Sequence, residues 1–377
     1  MKRRALLLSL LSLVMLASCG ETKTNTSGNP SDAGSDSSDT ATVVSRHDYN
    51  LTLTTKKGKV VSDASITLTD ANGNTNTEST DEEGLAVFYD FPVGEYTIAV
   101  TLPDGYDNWL LSETTLKLTD DKTDISLVLD PKISEMSSAA LTESDMVNQS
   151  EGNSCAYVKG SQVHDFSFTD VSGDTETTFT LKGLLEKYDV VVFDFFYKNC
   201  GYCNLEYPVI KQALNSNYTK EGDTDVYYSE KVCFVGFNTL VPDYTDSDWT
   251  YIGNIYYNNA TYKSQIASAM GVDASSLTVD QIVTYIKSRY ETVDDIKSVK
   301  TNYSLPYSLC KDAAVGKANM TITLSDAFGI TGTPTTVAID RYGYVANIDI
   351  GYVRDATVFT DMFDSLLGKN YVPSFIA

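Results

Sequence analysis

Hydrophobic and polar residues alternate with a period of two in the N-terminal part of the chain, between residues 48 and 130. Segments such as SITLTD, EYTIAV and DISLVLD place an apolar side chain at every second position, as expected of a strand that buries one face. Turns rich in Asp and Gly separate these segments. Short alternating strands at this spacing predict a small all-β sandwich over residues 48–130.

The pattern changes in the C-terminal part of the chain. The segments DVVVFDFFY and KVCFVGFNT are continuous apolar runs, which are typical of strands that a sheet buries on both faces. Apolar residues at helical spacing follow the first run and recur over residues 358–367. We therefore predict an α/β layer domain with a central sheet over residues 155–377.

Two further segments complete this organisation. Residues 131–154 are polar and predict a linker between the two domains. Residues 242–291 include TVDQIVTYIKSRY, a helical pattern in which Thr278 and Gln281 are placed as a capping box. We interpret residues 242–291 as a helical insertion in the α/β domain.

The N-terminus has the features of a secretion signal. Basic residues precede the apolar core ALLLSLLSLVML, which is too short to span a bilayer. The core ends in LASC, which resembles the bacterial lipobox, in which Cys19 is acylated and becomes the first mature residue; a plain signal peptide with an accidental cysteine is the alternative. We predict a lipoprotein signal peptide over residues 1–18 and a disordered Ser/Thr/Asp-rich tether over residues 19–47. The protein would then be extracytoplasmic and lipid-anchored to the bacterial cell membrane, where disulfides persist.

Charge and composition exclude several classes of function. The chain has 377 residues and a formal net charge of −23, so contacts with nucleic acid or anionic lipid headgroups would be repulsive. The chain has only two histidines, His47 and His164. This argues against His-rich zinc sites and against a catalytic triad that depends on histidine.

Two of the six cysteines, Cys200 and Cys203, directly follow the first apolar run. A strand that ends at Tyr197 and a helix that begins after Cys200 would place this cysteine at a helix N-terminus. Free backbone N–H groups and the helix dipole favour a thiolate there. Cys203, one helical turn later, would lie close enough to close a small ring, so the pair is expected to cycle between dithiol and disulfide.

The motifs around these cysteines resemble known families. DFFYKNCGYC resembles the active-site segment of the thioredoxin superfamily, and GITGTPTTVAID resembles its cis-proline loop. VHDFSFTDVSG and CNLEYP point more narrowly to the TlpA-like, redoxin-group thiol-disulfide oxidoreductases. The N-terminal strands resemble the Cna B-type and carboxypeptidase-regulatory-like sandwiches of bacterial surface proteins. The resemblances imply a multidomain chain, an all-β sandwich followed by an α/β thioredoxin-like domain with a helical insertion.

The thioredoxin resemblance implies a role for four residues of the catalytic site. Cys200 would be the exposed cysteine that attacks the substrate, and Cys203 would resolve the mixed disulfide. Asp194 stands where thioredoxins keep a buried aspartate, which would take the proton from Cys203; a strand-end aspartate facing solvent is the alternative. Glu206 matches the acid of the TlpA-like pattern C-x-x-C-x-x-E-x-P, close below the disulfide, although a solvated helix glutamate is an alternative.

The same resemblance implies a substrate-binding surface. Pro334 would be the cis residue and would hold Thr333 so that its backbone pairs with a substrate strand. Gly201 and Tyr202, between the cysteines, belong to the same predicted surface. This dipeptide also occurs in bacterial disulfide isomerases outside the cytoplasm, so it does not decide the direction of the reaction.

Three other cysteines remain in the predicted globular part. Cys233 lies in an apolar run and is expected to be an inert small hydrophobic residue. Cys155 and Cys310 are candidates for a structural disulfide, although three cysteines cannot be paired from sequence.

The predicted function is dithiol–disulfide exchange with the thiols or disulfides of other proteins, as a reductase recharged by an unidentified electron-donor protein. No metal or organic cofactor is needed. One alternative is a thiol peroxidase, which would have Thr or Ser three residues before its reactive cysteine, where this chain has Tyr197. Another is a surface binding or adhesion lipoprotein with an accessory redoxin domain, in which the sandwich would bind the partner.

Overall fold

The computed structural model describes residues 44–150, 152–218, 226–373 and 376. The first strands of this part are β1 (Arg46–Thr55), β2 (Ser65–Thr69), β3 (Thr75–Ser79), β4 (Leu85–Pro92), β5 (Gly94–Thr101), β6 (Trp109–Leu111), β7 (Thr115–Leu118) and β8 (Asp124–Pro131). They form two sheets with the orders β4-β1-β8-β6 and β3-β2-β5-β7. The alternating apolar positions of both sheets meet in one core, which includes Leu51, Ile66, Ile98 and Leu127. The predicted sandwich is confirmed.

The α/β domain follows the sandwich. Its strands are β9 (Asn148–Ser150), β10 (Asn153–Cys155), β11 (Ser167–Asp170), β12 (Thr177–Thr180), β13 (Val190–Phe196), β14 (Asn217–Tyr218), β15 (Val226–Tyr227), β16 (Val232–Pro242), β17 (Ser308–Asp312), β18 (Ala314–Lys317), β19 (Thr321–Thr323), β20 (Thr335–Asp340) and β21 (Val345–Ile350). Its helices are α1 (Leu181–Leu185), α2 (Gly201–Leu214), α3 (Asp246–Asn258), α4 (Ala260–Met270), α5 (Val279–Lys287), α6 (Val293–Tyr303), α7 (Leu324–Phe328) and α8 (Ala356–Leu367).

A seven-stranded sheet with the order β12-β11-β17-β16-β13-β20-β21 forms the centre of this domain. Strand β13 pairs in parallel with β16 on one side and antiparallel with β20 on the other. The hairpins β11–β12 and β20–β21 close the two ends of the sheet. A parallel β13-α2-β16 unit beside the antiparallel β20–β21 hairpin and a terminal helix is the thioredoxin-like arrangement, so the predicted fold class is confirmed.

Strand β13 is buried at every position, and its side chains alternate between two helical layers. Val190, Val192 and Phe196 pack in the cluster that contains α2, α6 and α8. Val191, Phe193 and Phe195 pack in the cluster that contains α1 and α7. Because side chains of a strand alternate between its faces, Asp194 points to the same side as Val192 and Phe196, towards α2.

The region predicted as a helical insertion contains α3, α4 and α5. These helices have a small core of their own, which includes Ile266, Ile282 and Ile286. Helix α5 begins with the predicted capping box, in which the Thr278 hydroxyl accepts a hydrogen bond from the Gln281 N–H and the Gln281 side chain accepts one from the Thr278 N–H. Helix α6, which follows, packs instead in the layer of α2 and α8.

Residues 131–154 and the C-terminal residues both contact other parts of the chain. Leu141, which is buried, exchanges backbone hydrogen bonds with β18: its N–H donates to Val315 O at 2.9 Å, and its carbonyl accepts from Lys317 N at 2.8 Å. Beyond α8, Val372 and Ile376 pack in the core of the sandwich. The sandwich and the α/β domain are therefore in direct contact.

Residues 1–43, with the predicted signal peptide, Cys19 and most of the predicted tether, lie outside the described residues. Within the described part of the chain, we find no helix that combines the length and the apolar character needed to cross a bilayer.

Candidate functional site

The two cysteines lie at the junction of the most buried strand and the helix that follows it. Cys200 and Cys203 form a disulfide, with their Cα atoms 5.3 Å apart. The Cys200 N–H donates to Tyr197 O at 3.1 Å and closes a turn between β13 and α2. Cys200 is the N-cap of α2, and its Sγ accepts the Cys203 N–H at 3.1 Å. The helix N-terminus is thus directed at this sulfur, as predicted.

The exposure of the two cysteines differs from the expectation. Cys200 was expected to be the exposed member of the pair, but Cys200 is 2% exposed and Cys203 is 1% exposed. Burial therefore does not distinguish them in this oxidised form. The physical reason is that Thr333, on the loop before β20, lies against the Cys200 sulfur and shields it from solvent. What does distinguish the pair is position, because only Cys200 is the N-cap residue.

The predicted cis-proline loop lies against the disulfide. The Thr333–Pro334 peptide bond is cis, as predicted. The Thr333 hydroxyl donates to Cys200 Sγ at 3.4 Å. The Pro334 carbonyl accepts the Gly351 N–H at 2.8 Å, so it is occupied within the sheet. These contacts place Thr333 and Cys200 side by side although they lie far apart in the sequence.

Asp194 is buried beneath helix α2, with 1% of its surface exposed. Its Oδ2 accepts the Tyr307 hydroxyl at 3.2 Å, while its Oδ1 has no hydrogen-bond partner among the described residues. Burial raises the pKa of Asp194 to about 7, although the Tyr307 hydrogen bond acts in the opposite direction. The alternative of a strand-end aspartate facing solvent is wrong.

Glu206 is also buried and lies one helical turn after Cys203. Its Oε1 accepts the Val353 N–H at 2.8 Å, and within the described part of the chain its Oε2 has no partner. Burial, followed by the nearby charge of Asp194, raises the pKa of Glu206 to about 8. The two acids thus influence each other, and the alternative of a solvated helix glutamate is wrong.

Two tyrosines complete this buried polar layer, and the sequence patterns did not single out either. Tyr307, which precedes β17, is the hydrogen-bond donor to Asp194. Tyr207 follows Glu206 in α2; its hydroxyl is buried without a hydrogen-bond partner among the described residues. Burial and the charge of Asp194 raise the pKa of both phenols, so both stay neutral at physiological pH. The only sequence feature that could have pointed to Tyr207 is its position directly after the predicted acid Glu206.

Exposed apolar side chains lie around the disulfide. Tyr202, between the cysteines, is exposed and stacks with Tyr352, with ring centroids 6.2 Å apart. Leu205 on α2 and Ile350 at the end of β21 are also exposed. Gly201 has open space at the position that a Cβ would occupy. Gly201 and Tyr202 are therefore exposed beside the disulfide and Thr333 contacts it, whereas Pro334 is buried.

The remaining cysteines do not form the structural disulfide that was considered from the sequence. Cys155, Cys233 and Cys310 are all free thiols. Burial raises the pKa of the Cys233 thiol to about 12 and also raises that of Cys310. Such thiols are protonated and unreactive at neutral pH, in agreement with an inert Cys233. Cys155 lies in β10, outside the central sheet, whereas Cys310 lies in β17 within it.

One comparison with known proteins concerns the sandwich. Residues 49–132 match the model of the SpaA prealbumin-like fold domain. This match covers the strands β1 to β8 and agrees with the Cna B-type resemblance of the sequence. No curated protein matches this chain by sequence.

Solved structures similar to this chain align with a little over half of it. A thioredoxin-family thiol:disulfide interchange protein from Chlorobium tepidum is 18% identical, with 56% of this chain and 100% of that chain covered and a TM-score of 0.31. A thiol:disulfide interchange protein from Bacteroides sp. is 11% identical, with 56% and 92% covered and a TM-score of 0.31. The thioredoxin domain of a thiol-disulfide oxidoreductase from Bacteroides vulgatus is 12% identical, with 55% and 97% covered and a TM-score of 0.30.

The geometry supports thiol chemistry at one place in the molecule. A disulfide lies at a helix N-terminus with a hydroxyl donor on its first sulfur, and two buried acids lie in the same layer, one on β13 facing α2 and one on α2 a turn after Cys203. Among the described residues, no group of three or more His, Cys, Asp or Glu side chains is placed to hold a metal ion. The chemistry that these side chains can carry is the transfer of two electrons and two protons between dithiol and disulfide.

Proposed function

We propose that this protein is a thiol-disulfide oxidoreductase that exchanges its Cys200–Cys203 couple with protein substrates, acting as a reductase. The single observation that carries the proposal is the Cys200–Cys203 disulfide at the N-terminus of α2, in contact with the loop of Thr333 and cis Pro334. A reactive thiolate at such a position is stabilised by the helix end. The neighbouring loop and exposed Tyr202 provide a surface for a peptide segment next to it.

The proposed reaction has two steps. The Cys200 thiolate attacks one sulfur of the substrate disulfide, a mixed disulfide forms, and the other substrate sulfur leaves as a thiolate and takes up a proton. The Cys203 thiolate then attacks Cys200 Sγ, which restores the intrachain disulfide and releases the second substrate thiol. The substrate gains two electrons and two protons. A dithiol electron-donor protein must reduce the couple before the next cycle.

Asp194 and Glu206 support this scheme as proton acceptors for Cys203. A group with a pKa near neutral pH can accept and return a proton at little cost. Their buried negative charge, when ionised, also disfavours a thiolate nearby and so disfavours the dithiol form. A couple whose reduced form is less stable is the stronger reductant, which favours the reductase direction.

The proposal is tested by reduction of insulin with dithiothreitol as the electron source. The wild type should accelerate the reduction, and Cys200→Ser and Cys203→Ser should not. Cys233→Ser serves as the matched control because its thiol is inert. A measured potential of about −270 mV, as in thioredoxin, is expected of a reductant, whereas about −120 mV, as in DsbA, would indicate an oxidant.

We further propose that the protein acts outside the cytoplasm, held at the bacterial membrane by a lipid on Cys19. The lipobox-like LASC segment after a short apolar core supports this location. Labelled palmitate should enter the wild type and not Cys19→Ala when each is expressed in a bacterial host. Equal labelling of the two proteins would contradict a lipid on this cysteine.

A further inference from the structure

The turn before Cys200 is held by a glutamate from a distant part of the chain. Glu291 Oε2 accepts the backbone N–H of Lys198 at 2.8 Å and the side-chain amide of Asn238 at 2.9 Å. The Glu291 N–H donates to Leu240 O at 3.0 Å. Glu291 therefore connects the turn between β13 and α2 to the end of β16. Asn238, its other partner, is fully buried, which anchors the carboxylate.

A second acid from the same segment pairs with the side chain of Lys198. Asp295 Oδ1 accepts from Lys198 Nζ at 2.6 Å. Its other oxygen, Oδ2, accepts the N–H of Thr292 at 2.8 Å and the Thr292 hydroxyl at 2.9 Å, in the capping box of α6. Asp295 is thus already oriented by its own helix. We use the name acidic clamp for Glu291 and Asp295 together.

The clamped turn determines where the Cys200 sulfur lies. Lys198 stands inside the turn that the hydrogen bond from Cys200 N–H to Tyr197 O closes. Cys200 is the last residue of this turn, and its Sγ accepts hydrogen bonds from both the Cys203 N–H and the Thr333 hydroxyl. A movement of the turn would change both contacts of the sulfur, and small displacements of reacting groups are costly to the rate.

The clamp also engages the charge of the lysine in this turn. A lysine near a cysteine stabilises its thiolate, and Lys198 is two residues from Cys200. Its ion pair with Asp295 offsets that positive charge. If the pair were broken by removing Asp295, Lys198 would stabilise the Cys200 thiolate and hence the reduced form. A stabilised reduced form makes the couple more oxidising.

We propose that Glu291 and Asp295 are positioning residues for Cys200, which hold its turn in place and neutralise Lys198 so that the Cys200–Cys203 couple stays reducing. The proposal deepens the proposed function and rests on it, since it concerns the same cysteine pair. It predicts that two acids outside the cysteine motif, Glu291 just before α6 and Asp295 in its first turn, control the potential of the couple.

The test is the equilibrium of the couple with reduced and oxidised glutathione. Asp295→Asn keeps the size and the capping acceptor but removes the charge, and it should make the couple more oxidising. We expect about a threefold to tenfold change in the equilibrium constant, and a tenfold change corresponds to about 30 mV. The Cys200 thiol should also ionise at lower pH. Asp294→Asn, which removes the neighbouring exposed charge of the same helix, should leave the potential unchanged.

A double-mutant cycle tests whether the effect passes through Lys198. Lys198→Met should make the couple more reducing, and Asp295→Asn should have no further effect in the Lys198→Met background. The same shift in both backgrounds, or no shift from Asp295→Asn in the wild type, would overturn the proposed control of potential. Circular dichroism of each variant verifies that it is folded.

The role of Glu291 is tested by rate and by rescue. Glu291→Ala removes the acceptor of the Lys198 N–H, so exchange with glutathione should slow by about tenfold. Glu291→Gln retains an acceptor oxygen and should restore most of the rate. Equal rates in the two variants would overturn the positioning role. Glutathione reports on the couple even if insulin is not reduced, so a failure of the proposed protein substrates is distinguishable from a failure of the clamp.

Discussion

At the scale of single residues, the disulfide site contains two buried acids whose hydrogen bonding is incomplete. Asp194 and Glu206 each have one oxygen with a hydrogen-bond partner and one without, within the described part of the chain. A buried, incompletely paired carboxylate is costly, so the protonated form is favoured. This explains why the pKa of Asp194 is raised to about 7 and that of Glu206 to about 8.

We predict that Asp194→Asn and Glu206→Gln slow thiol exchange, because each removes a proton acceptor near Cys203. General acid–base assistance is worth about 10²–10⁴ in rate, and at least one variant should lose tenfold or more. The measurement is the rate of reduction of a small disulfide from pH 5 to 9. Wild-type pH profiles for both variants would show that the acids are structural.

The same acids predict a pH-dependent stability. Their pKa values in the folded protein lie above the ordinary values of 3.8 and 4.5, so the folded state binds more protons than the unfolded state. Their contribution is fully present below about pH 4 and is lost as the pH rises through about 7 to 8. Relative to wild type, the unfolding free energy of Asp194→Asn should therefore increase from pH 5 to 8. Urea denaturation measures it, and a constant difference would contradict the prediction.

The two tyrosines of the polar layer should respond differently to loss of the hydroxyl. Tyr307→Phe removes the hydrogen bond that lowers the pKa of Asp194, so the acidic limb of the pH–rate profile should move to higher pH. Tyr207→Phe is the matched control, because its hydroxyl is buried without a partner in the described structure. It should leave the profile in place and keep or raise stability. Equal shifts in both variants would contradict a specific role for Tyr307.

At the scale of elements, the predicted linker, residues 131–154, packs more closely than its composition indicates. Its composition is polar, yet Leu141 is 2% exposed and bridges to β18. A single buried leucine in a polar segment produces no periodic pattern, so the sequence offered no sign that this residue packs. The backbone hydrogen bonds to Val315 and Lys317 make residues around Leu141 part of the α/β domain.

Leu141→Ala should therefore destabilise the α/β domain. Large-to-small changes at buried leucines cost about 2–5 kcal/mol. Val147→Ala, in the same segment but 72% exposed, should change the free energy of unfolding by less than about 0.5 kcal/mol. Thermal unfolding followed by near-ultraviolet circular dichroism provides the comparison. Similar melting temperatures for the two variants would mean that the segment behaves as a free linker.

At the scale of the described molecule, residues after the last helix contact both domains. Val372 and Ile376 lie in the core of the sandwich, and Lys57 Nζ donates to the Ile376 carbonyl at 2.5 Å. The Tyr371 hydroxyl donates to Asp340 at the end of β20, at 2.8 Å. Tyr371 thus contacts the central sheet of the α/β domain, while Val372 and Ile376 contact the core of the sandwich, so the two domains pack against each other.

Ile376→Ser should loosen the sandwich without altering the couple. The substitution places a hydroxyl in an apolar core, a change that costs about 1–3 kcal/mol. Amide exchange in β1 and β8 should become faster, while the rate of exchange at Cys200 stays at the wild-type value. Val358→Ser, at an exposed position of α8, should affect neither. Unchanged amide exchange in Ile376→Ser would show that the sandwich is stable without the tail.

The sequence by itself determined the features that depend on near neighbours. The period of two, the apolar run before Cys200, the capping box of α5 and the cysteine spacing all involve residues within a few positions of each other. Strand alternation also placed Asp194 on the side of Val192 and Phe196. These features were sufficient to predict the sandwich, the α/β domain and the cysteine pair, whereas the cis-proline loop was predicted from its resemblance to the thioredoxin superfamily.

Only the tertiary structure decided which distant groups meet at the site. Tyr307 is 113 residues from Asp194, Val353 is 147 residues from Glu206, and Glu291 is 93 residues from Lys198. No local pattern encodes such pairs, because each depends on how β13, β16, β17 and the helices are arranged around one sheet. The burial of Cys200 has the same origin, since Thr333, which contacts its sulfur, is 133 residues away in the sequence. The cysteine pair is thus predictable from the local sequence. The charges and hydrogen bonds that surround it depend on the packing of the whole domain.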